Sequence, residues 1–196
     1  MKQKYSFFEI IKNVKAVIYT KLFVGKKARI VRLPFYVRGK RNLEFGEGFS
    51  TGYGCRFEML TKTKTDEKIL SIGKNFRCGD YVHITVCEGI KIGDNCLIAS
   101  HVFISDNDHG SYSGDHQSPP TQPPNEREIF TKKVEIGNNV WIGENVCILP
   151  GVKIGNGCII GAGSVVTKNI ENNSIACGVP ARVIKRWNEN DGWKKC

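Results

Sequence analysis

The sequence predicts an all-β solenoid in which short parallel strands wind into a three-sided coil. The first observation is a six-residue rhythm: over residues 136–166 every sixth position is aliphatic, and glycine follows four of these six positions. A helix, whose faces recur about every 3.6 residues, cannot produce this rhythm. Very short strands that each end in a tight corner do produce it, and glycine suits such corners. The six positions are Ile136, Ile142, Ile148, Ile154, Ile160 and Val166.

The same rhythm occurs earlier in the chain, which is the second observation. It runs through residues 72–84 and again through 92–104. Ile84 and Ile92 are eight residues apart rather than six, so we expect a corner with two extra residues between them. The third observation is a single long interruption, because the repeats stop at about residue 106 and resume at about residue 134. The expected architecture is therefore a rigid coil with one long loop.

The composition fits one folded domain. The chain has 196 residues, of which 40% are hydrophobic and 24% charged, so a core is available and disorder is not expected. It has no secretory signal and no run of about 18 apolar residues, which predicts a cytoplasmic protein without a membrane span. The eight cysteines include no C-x-x-C pair. We therefore expect reduced thiols, with Cys78, Cys96 and Cys158 filling inward positions of the coil.

Residues 1–40 form a basic, amphipathic segment ahead of the coil. Twelve of the 29 lysine and arginine residues fall within residues 1–41, against a single acid, Glu9. Large apolar residues recur there at roughly helical spacing: Phe7, Phe8, Ile10, Ile11, Val14, Val17, Ile18 and Leu22. Two interpretations stay open: a helix at the inner face of the membrane, or a helix packed on the coil with a solvated basic face. No nucleic-acid-binding motif occurs, so we expect no nucleic-acid partner.

The interruption at residues 106–133 contains candidate catalytic groups. It holds His109 and His116, two of the four histidines, and four prolines that favour a stiff, extended arm. Long loops on rigid scaffolds usually carry function. Histidine suits proton transfer, because a free imidazole has a pKa of about 6.5, near the working pH. The residues alone leave both histidines open as a general base.

Four stretches resemble the hexapeptide-repeat acyltransferases of the galactoside, maltose and serine O-acetyltransferase group, and above all the O-antigen and capsule polysaccharide O-acetyltransferases. They are IGDNCLIASHVFISDNDHG (92–110), NNVWIGENVCILPGVKIG (138–155), IIGAGSVVTKNI (159–170) and GVPARVIK (178–185). The resemblance implies a left-handed parallel β-helix over residues 41–187, with a short cap at its C-terminal end and a tail at 188–196. It also implies a homotrimer with sites between subunits, and a loop at 106–133 that reaches a neighbouring subunit.

The resemblance assigns the catalytic base to His109. The implied role is to take the proton of a sugar hydroxyl, which then attacks acetyl-CoA directly. Asp106 or Asp108 is a candidate to orient the imidazole, with a solvated acid as the alternative, and we also predict Asp106 as a substrate contact. His83 precedes the inward Ile84 and is a candidate to line the acceptor pocket. We expect a structural role for His101, which occupies a turn position beside the core.

The C-terminal coils carry the predicted donor site. The stretch Gly-Ala-Gly-Ser at 161–164 removes side-chain bulk, so the long arm of coenzyme A can approach the backbone there. Cations beyond it suit the phosphates of coenzyme A. The resemblance implies that the backbone N–H of Glu144 polarises the thioester carbonyl, although the galactoside enzyme looks to have serine at this point. The predicted cofactor-binding set is Trp141, Glu144, Ala162, Thr167, Lys168, Arg182 and Lys185.

These observations lead to one principal function and three alternatives. The principal prediction is an acetyl-CoA-dependent O-acetyltransferase acting on a sugar hydroxyl of a surface polysaccharide or its precursor. The first alternative is an N-acyltransferase of a nucleotide-linked amino sugar. The second is a zinc enzyme of the carbonic-anhydrase kind, which would need His83, His101 and His109 to converge, whereas the principal reading needs no metal. The third is a non-catalytic β-helix scaffold.

Overall fold

The computed structural model describes residues 5–61 and 66–196, and its strands form three parallel sheets that are the faces of a triangular prism. Sheet 1 contains β1 (Ala28–Val31), β4 (Phe49–Thr51), β7 (Arg77–Cys78), β10 (Leu97–Ile98), β15 (Trp141–Ile142), β18 (Ile159–Ile160) and β20 (Ser174–Gly178), extended by β21 (Ala181–Asn188) and β22 (Gly192–Lys195). Sheet 2 contains β2 (Phe35–Arg38), β5 (Cys55–Met59), β8 (His83–Val86), β11 (Phe103–Ser105), β16 (Cys147–Ile148) and β19 (Val165–Val166). Sheet 3 contains β3 (Leu43–Phe45), β6 (Leu70–Ile72), β9 (Ile90–Ile92), β14 (Val134–Ile136) and β17 (Lys153–Ile154).

The six-residue rhythm builds the core by stacking one aliphatic side chain of each coil on that of the next. Within sheet 1, Ile98 pairs with Ile142 and Ile142 with Ile160, and all three side chains are buried. Cys78, Cys96 and Cys158 are also buried, as the sequence predicts, and burial raises the pKa of each thiol. All eight cysteines are free. These three buried thiols, Cys78, Cys96 and Cys158, therefore act as small apolar fillers rather than as nucleophiles.

A ladder of side-chain amides and carboxylates joins successive coils at the corner that follows sheet 3. The Oδ1 atom of Asn138 accepts a hydrogen bond from the backbone N–H of Asp94, and Asn156 does the same for Asn138, at 2.8 and 2.7 Å. Other corner asparagines adopt left-handed backbone conformations, which this residue type tolerates, for example Asn95 at φ 58°. The corners thus satisfy their own backbone groups while the chain turns.

The N-terminal segment is helical, as predicted, and the coil begins before residue 41. Helix α1 (Phe7–Tyr19) starts with a capping box between Ser6 and Glu9 and continues into a π-helical turn, Thr20–Val24. Strands β1 and β2 already pair with β4 and β5, so the first coil starts at Ala28. No helix within residues 5–61 and 66–196 is long and apolar enough to cross a membrane.

The C-terminal end of the prism is closed by antiparallel strands. Strand β21 pairs antiparallel with β20 and lies where the sequence predicts a short cap. The segment 188–196, expected as a tail, instead supplies the turn and strand β22, whose Trp193 ring lies 5.4 Å from that of Trp187. This hairpin covers the edge that sheet 1 would otherwise leave open at its last coil.

Candidate active site

His109 lies on a hairpin that leaves the prism where sheet 2 ends. The hairpin pairs β12 (Asn107–His109) with β13 (Ile129–Thr131) in antiparallel register, and His109 is opposite Ile129. The His109 side chain is exposed, while its backbone carbonyl accepts a hydrogen bond from the Tyr112 hydroxyl. The hairpin occupies the interruption predicted from the repeats, since β11 ends at residue 105 and β14 begins at residue 134.

The remainder of the loop folds back on this hairpin. The Arg127 guanidinium donates to the Tyr112 hydroxyl at 2.8 Å and to the Gln122 carbonyl at 2.8 Å. The Ser118 amide donates to the Ser111 carbonyl at 2.8 Å. The prolines predicted an extended arm, whereas these contacts tie residues 111–127 together within one chain. The loop folds back because of the hydrogen bonds around Arg127, which the spacing of the prolines does not reveal.

A cleft of about 620 Å³ lies beside His109, at the corner between sheets 2 and 3. Glu88 and Cys87 reach it from the corner that the eight-residue step predicts, between β8 and β9. His109 and Asn107 contribute one hairpin strand. The lining residues are Leu60, Thr61, Glu67, Ile69, Cys87, Glu88, Asn107, His109, Ile129, Thr131 and Lys133. Sequence reasoning missed most of them, although the longer corner was a signal for residues 87–88.

The Asp106 carboxylate clamps this corner. The residue is fully buried, and its two carboxylate oxygens accept hydrogen bonds from the backbone N–H groups of Cys87 (2.8 Å), Glu88 (2.8 Å) and Gly89 (2.6 Å). The Asn107 side chain donates a further hydrogen bond at 3.0 Å. Charge-assisted hydrogen bonds of this kind are strong. Asp106 thus holds the walls of the cleft in position, and its direct contact with an acceptor stays a prediction.

His83 lies on the outer face of sheet 2, among charged side chains. Its Nε2 atom is 3.2 Å from a carboxylate oxygen of Glu58, and its ring centre is 5.2 Å from that of Phe103. Arg56 Nε lies 2.7 Å from Glu58. Burial alone would raise the pKa of Glu58, but hydrogen bonds from Arg56 and His83 outweigh it and hold that pKa below its usual value.

The histidines do not converge on a metal site. His101 is a corner residue with φ 57°, and its ring stacks on Tyr81 at 5.2 Å, in agreement with its predicted turn position. His83 faces Glu58, and His109 lies on the hairpin. Among residues 5–61 and 66–196, no group of three or more His, Cys, Asp or Glu side chains could hold a metal ion. The zinc alternative is therefore not supported by the arrangement of these residues.

Two of the predicted donor residues share one outward row of sheet 1. Trp141 pairs with Ile159, Ile159 with Ile175, and Ile175 with Lys185 across the antiparallel cap. The Trp141 ring is half exposed. Because neighbouring strands lie about 4.8 Å apart, this row extends roughly 14 Å along the prism. It forms an elongated, mainly apolar strip that ends in a cation.

Glu144 and Ala162 lie at the corner between sheets 1 and 2, beside that row. The Glu144 carbonyl accepts the Gly163 amide at 2.8 Å, and both Glu144 and Ala162 are exposed. A Cβ atom added at Gly143 would lie 2.6 Å from the Ala162 nitrogen, so the two backbones approach closely here. A Cβ atom added at Gly163, by contrast, would meet nothing within 4 Å, so the corner is open on that side. Approach of coenzyme A there stays a prediction.

Arg182, Thr167 and Lys168 complete the predicted donor set, but they do not lie together. Arg182 is exposed on β21, opposite Cys177. Thr167 and Lys168 follow β19, at the corner between sheets 2 and 3. That corner is the one from which the His109 hairpin leaves. One chain therefore has His109, Thr167 and Lys168 at one edge of sheet 2 and the other donor residues at or beyond its opposite edge.

Family models match both halves of the coil. A bacterial transferase hexapeptide model of six repeats matches residues 133–168, and a model for the hexapeptide repeat of succinyl-transferase matches residues 69–105. A curated relative matches along nearly all of its length: the chain is 40% identical over 195 residues to the "Putative lipopolysaccharide biosynthesis O-acetyl transferase WbbJ" of Escherichia coli (strain K12), covering 98% of this chain and 96% of that protein. The chain belongs to the hexapeptide-repeat acyltransferase family. This confirms the resemblance found in the sequence and the prediction of an acyltransferase.

Further relatives of this acyltransferase carry out related reactions. The galactoside O-acetyltransferase of Escherichia coli (strain K12) is 41% identical over 122 residues, which cover 62% of this chain and 56% of that enzyme. A galactoside acetyltransferase solved with coenzyme A superposes with a TM-score of 0.57 at 27% identity, covering 96% of this chain and 87% of that one. AntD, an N-acyltransferase from Bacillus cereus solved with dTDP and 3-hydroxybutyryl-CoA, gives a TM-score of 0.69 at 25% identity, covering 97% and 93%.

Proposed function

We propose that this acyltransferase transfers an acetyl group from acetyl-CoA to a sugar hydroxyl of a surface polysaccharide, such as O-antigen or capsule, or of its precursor. The observation that carries the proposal is His109, exposed on a hairpin beside a cleft of about 620 Å³, in a chain that is 40% identical to a lipopolysaccharide biosynthesis relative. The acceptor would be met at the inner face of the cytoplasmic membrane, where lipid-linked precursors are assembled. In this proposal the coil is left-handed, as in the family it resembles.

His109 acts as the general base. Its imidazole takes the proton of the acceptor hydroxyl while the hydroxyl oxygen bonds to the thioester carbonyl carbon. The C–S bond then breaks, and the imidazolium returns its proton to the departing thiolate, so that the products are the O-acetylated sugar and coenzyme A. No covalent acyl-enzyme is needed. A positioned base of this kind contributes roughly 10²–10⁴-fold to the rate.

The Glu144 backbone N–H stabilises the oxyanion that forms on the thioester carbonyl. This N–H makes no hydrogen bond with any residue within 5–61 or 66–196. A free backbone donor at an open corner can point at the developing charge without reorganising. The Glu144 carboxylate is exposed and carries the wrong charge for this role, so only the backbone group takes part.

The complete site forms between two chains of a homotrimer. In one chain the Glu144 corner and the His109 corner are separated by the width of sheet 2, which at about 3.3 Å per residue over four residues is roughly 13 Å. Reacting atoms must approach to about 3–3.5 Å. Because the His109 cleft also opens toward Ile69 and Lys133, on the sheet 3 side, the separation within one chain is larger still. A neighbouring chain removes this gap by bringing its own Glu144 corner to the His109 cleft.

The coenzyme A arm lies along the Trp141 row, and its phosphates meet the cations at the end of the coil. The apolar strip from Trp141 to Ile175 suits an elongated thioester arm, while Lys185 and Arg182 supply charge beyond it. Thr167 and Lys168 would contribute from the adjoining chain, since they lie at the opposite edge of sheet 2.

The decisive experiment measures release of coenzyme A from acetyl-CoA against a panel of glycan acceptors. We expect the His109→Ala variant to lose at least about 10²-fold in kcat. The control is His116→Ala, which changes the other loop histidine and should retain activity. Equal turnover by the His109→Ala variant and the wild type would overturn the catalytic role of His109. Release of coenzyme A by both proteins only at the uncatalysed rate would favour a scaffold.

The second candidate is N-acylation of a nucleotide-linked amino sugar. It is favoured by the similarity to AntD, whose solved complexes contain dTDP and an acyl-CoA. Paired acceptors that differ only by a hydroxyl or an amine at the reacting carbon separate the two functions. Faster acylation of the amine would replace the principal proposal with this one.

A further inference from the structure

Helix α1 presents the wrong face to the coil for an ordinary surface helix. A surface helix normally buries its apolar stripe and exposes its polar one. The side of α1 that meets the coil contains mainly small or polar residues: Ala16 and the following Thr20 are buried and Asn13 is half-buried, while the half-buried Tyr19 packs against the core at the end of the helix. The Thr20 hydroxyl accepts the Val31 amide at 2.8 Å, and Asn13 accepts a hydrogen bond from Arg32 at 3.4 Å.

The apolar stripe of α1 is exposed along its whole length. Its members recur at helical spacing and point away from Ala16, because about 100° of rotation per residue sets Phe7, Val14 and Ile18 nearly opposite that residue. Their exposed fractions run from 37% for Ile11 to 72% for Phe7. The stripe consists of Phe7, Ile10, Ile11, Val14, Val17 and Ile18, and it continues past the helix through Leu22 and Phe23.

The charge around this stripe identifies what covers it. Lys12 and Lys15 lie within α1 and Lys21 just after it, and all three are exposed, as are Lys26 and Lys27 beyond them. At about 100° of rotation per residue Lys15 borders the stripe, whereas Lys12 lies nearer Ala16. Glu9 is the one acid in residues 1–41, and it is held in the capping box. A second copy paired through the same helix would bring an equally basic segment against this one, which is repulsive. An anionic lipid surface offers both apolar depth and opposite charge.

We propose that the exposed stripe of α1, with its flanking lysines, docks this enzyme on an anionic lipid surface. The helix lies parallel to the surface, with the stripe in the boundary between headgroups and acyl chains. It does not cross the bilayer, in keeping with its length of 13 residues. This inference is independent of the proposed acetyl transfer, because it rests on α1 alone and not on the His109 cleft.

The test is flotation of the full chain with vesicles of phosphatidylethanolamine and phosphatidylglycerol, compared with vesicles of phosphatidylcholine alone. We expect binding to the anionic vesicles that weakens at high salt. The triple substitution Phe7→Ser, Val14→Ser and Ile18→Ser should reduce the bound fraction at least about tenfold. A matched control, Ile184→Ser with Trp187→Ser, removes exposed apolar surface at the other end of the prism and should bind as wild type does.

Sedimentation of the same variants in the absence of lipid tests whether a second copy of this chain, rather than lipid, covers the stripe. If the triple variant floats as well as wild type, or if wild type does not float with anionic vesicles, the inference is overturned. It is also overturned if the triple variant changes the oligomeric state and lipid binding is absent, since a second copy then covers the stripe. Acetyl transfer measured with a lipid-free acceptor should be the same in the triple variant, so failure of docking and failure of catalysis are separable.

Discussion

At the scale of single residues, Asp106 is a buried acid whose carboxylate accepts four hydrogen bonds. Asp106 stands three positions before His109, where a sequence suggests a partner for the imidazole or a substrate ligand. The structure buries its carboxylate against three consecutive backbone amides of the preceding coil. A charge can remain buried without a cation when several N–H groups solvate it. The longer corner and the His109 hairpin are thereby fixed to each other.

The variant Asp106→Asn tests this clamp while keeping the side-chain volume. The amide retains one acceptor oxygen and turns an NH₂ group toward the remaining backbone donors. We expect the free energy of unfolding to fall by about 3 kcal/mol, because hydrogen bonds to a charged group are lost and buried donors are left unpaired. Urea unfolding at a fixed protein concentration measures the effect. Asp108→Asn, at an exposed position on the adjoining strand β12, should change stability little, and a similar loss in both variants would contradict the clamp.

A second prediction at this scale concerns the pKa of Glu58 and the pH dependence of stability. Since that pKa lies below its usual value in the folded protein, the ionised carboxylate stabilises the fold at a pH above the unfolded value of about 4.3. This stabilisation is lost as the pH falls through the folded pKa. The stability difference between wild type and Glu58→Gln should therefore be largest near neutral pH and disappear in acid. Urea titrations over that range measure it, with the exposed Glu47→Gln as the control; a difference that does not depend on pH would refute the assignment.

At the scale of elements, the glycine that follows many inward aliphatics keeps adjacent coils in contact. A Cβ atom built on Gly93 would lie 2.5 Å from the Asn138 Oδ1 atom and 2.7 Å from the Gly137 carbonyl carbon. The backbone there is not in a left-handed conformation, so the requirement comes from close approach rather than from backbone strain. This explains why glycine recurs with the period of the coil.

Gly93→Ala should therefore destabilise the coil. We expect a loss of about 2 kcal/mol in the free energy of unfolding, because the corner must open or the Asn138 hydrogen bond must break. Gly89→Ala is the matched control, since its added Cβ would only touch the flexible Lys133 side chain at 3.4 Å. Thermal or urea unfolding of both variants gives the comparison. Equal stability of the two would mean that the close approach is relieved without cost.

At the scale of the whole molecule, the prism separates the proposed base from the proposed donor site. His109 leaves one edge of sheet 2, whereas Glu144 and Ala162 lie at the other. A rigid coil cannot bring its own edges together, so under the proposed mechanism a complete site would draw on two chains. This geometry supports the proposal of an oligomer, and the number of chains in it comes from the family resemblance.

Subunit mixing tests the composite site. His109→Ala and Ala162→Trp, the second blocking the donor corner, should each be inactive as pure proteins. Co-expressed in equal amounts, they should regain about a quarter of wild-type activity, since each site takes one half from each of two chains chosen at random. Coenzyme A release by the purified mixture measures this. A mixture as inactive as its components would mean that each site lies within one chain.

The sequence alone determined the coil, because the six-residue period reflects packing between residues that are close together in the chain. Inward aliphatics such as Ile142, and the glycine that follows many of them, are determined by packing within six residues, and the structure has them where the rhythm predicts. Departures from that period also predicted three further features: the helix at 7–19, the longer corner before Ile92 and the interruption at 106–133.

Only the tertiary structure decided how distant segments face one another. Three features depend on how distant segments pack. Asp106 turns inward to residues 87–89, α1 exposes its apolar stripe, and His109 and Glu144 lie at opposite edges of sheet 2. An amphipathic pattern states that a helix has two faces but not which one meets the protein. A single chain's spacing likewise cannot reveal contacts made across several coils, because these depend on the stacking of the prism and not on any local preference.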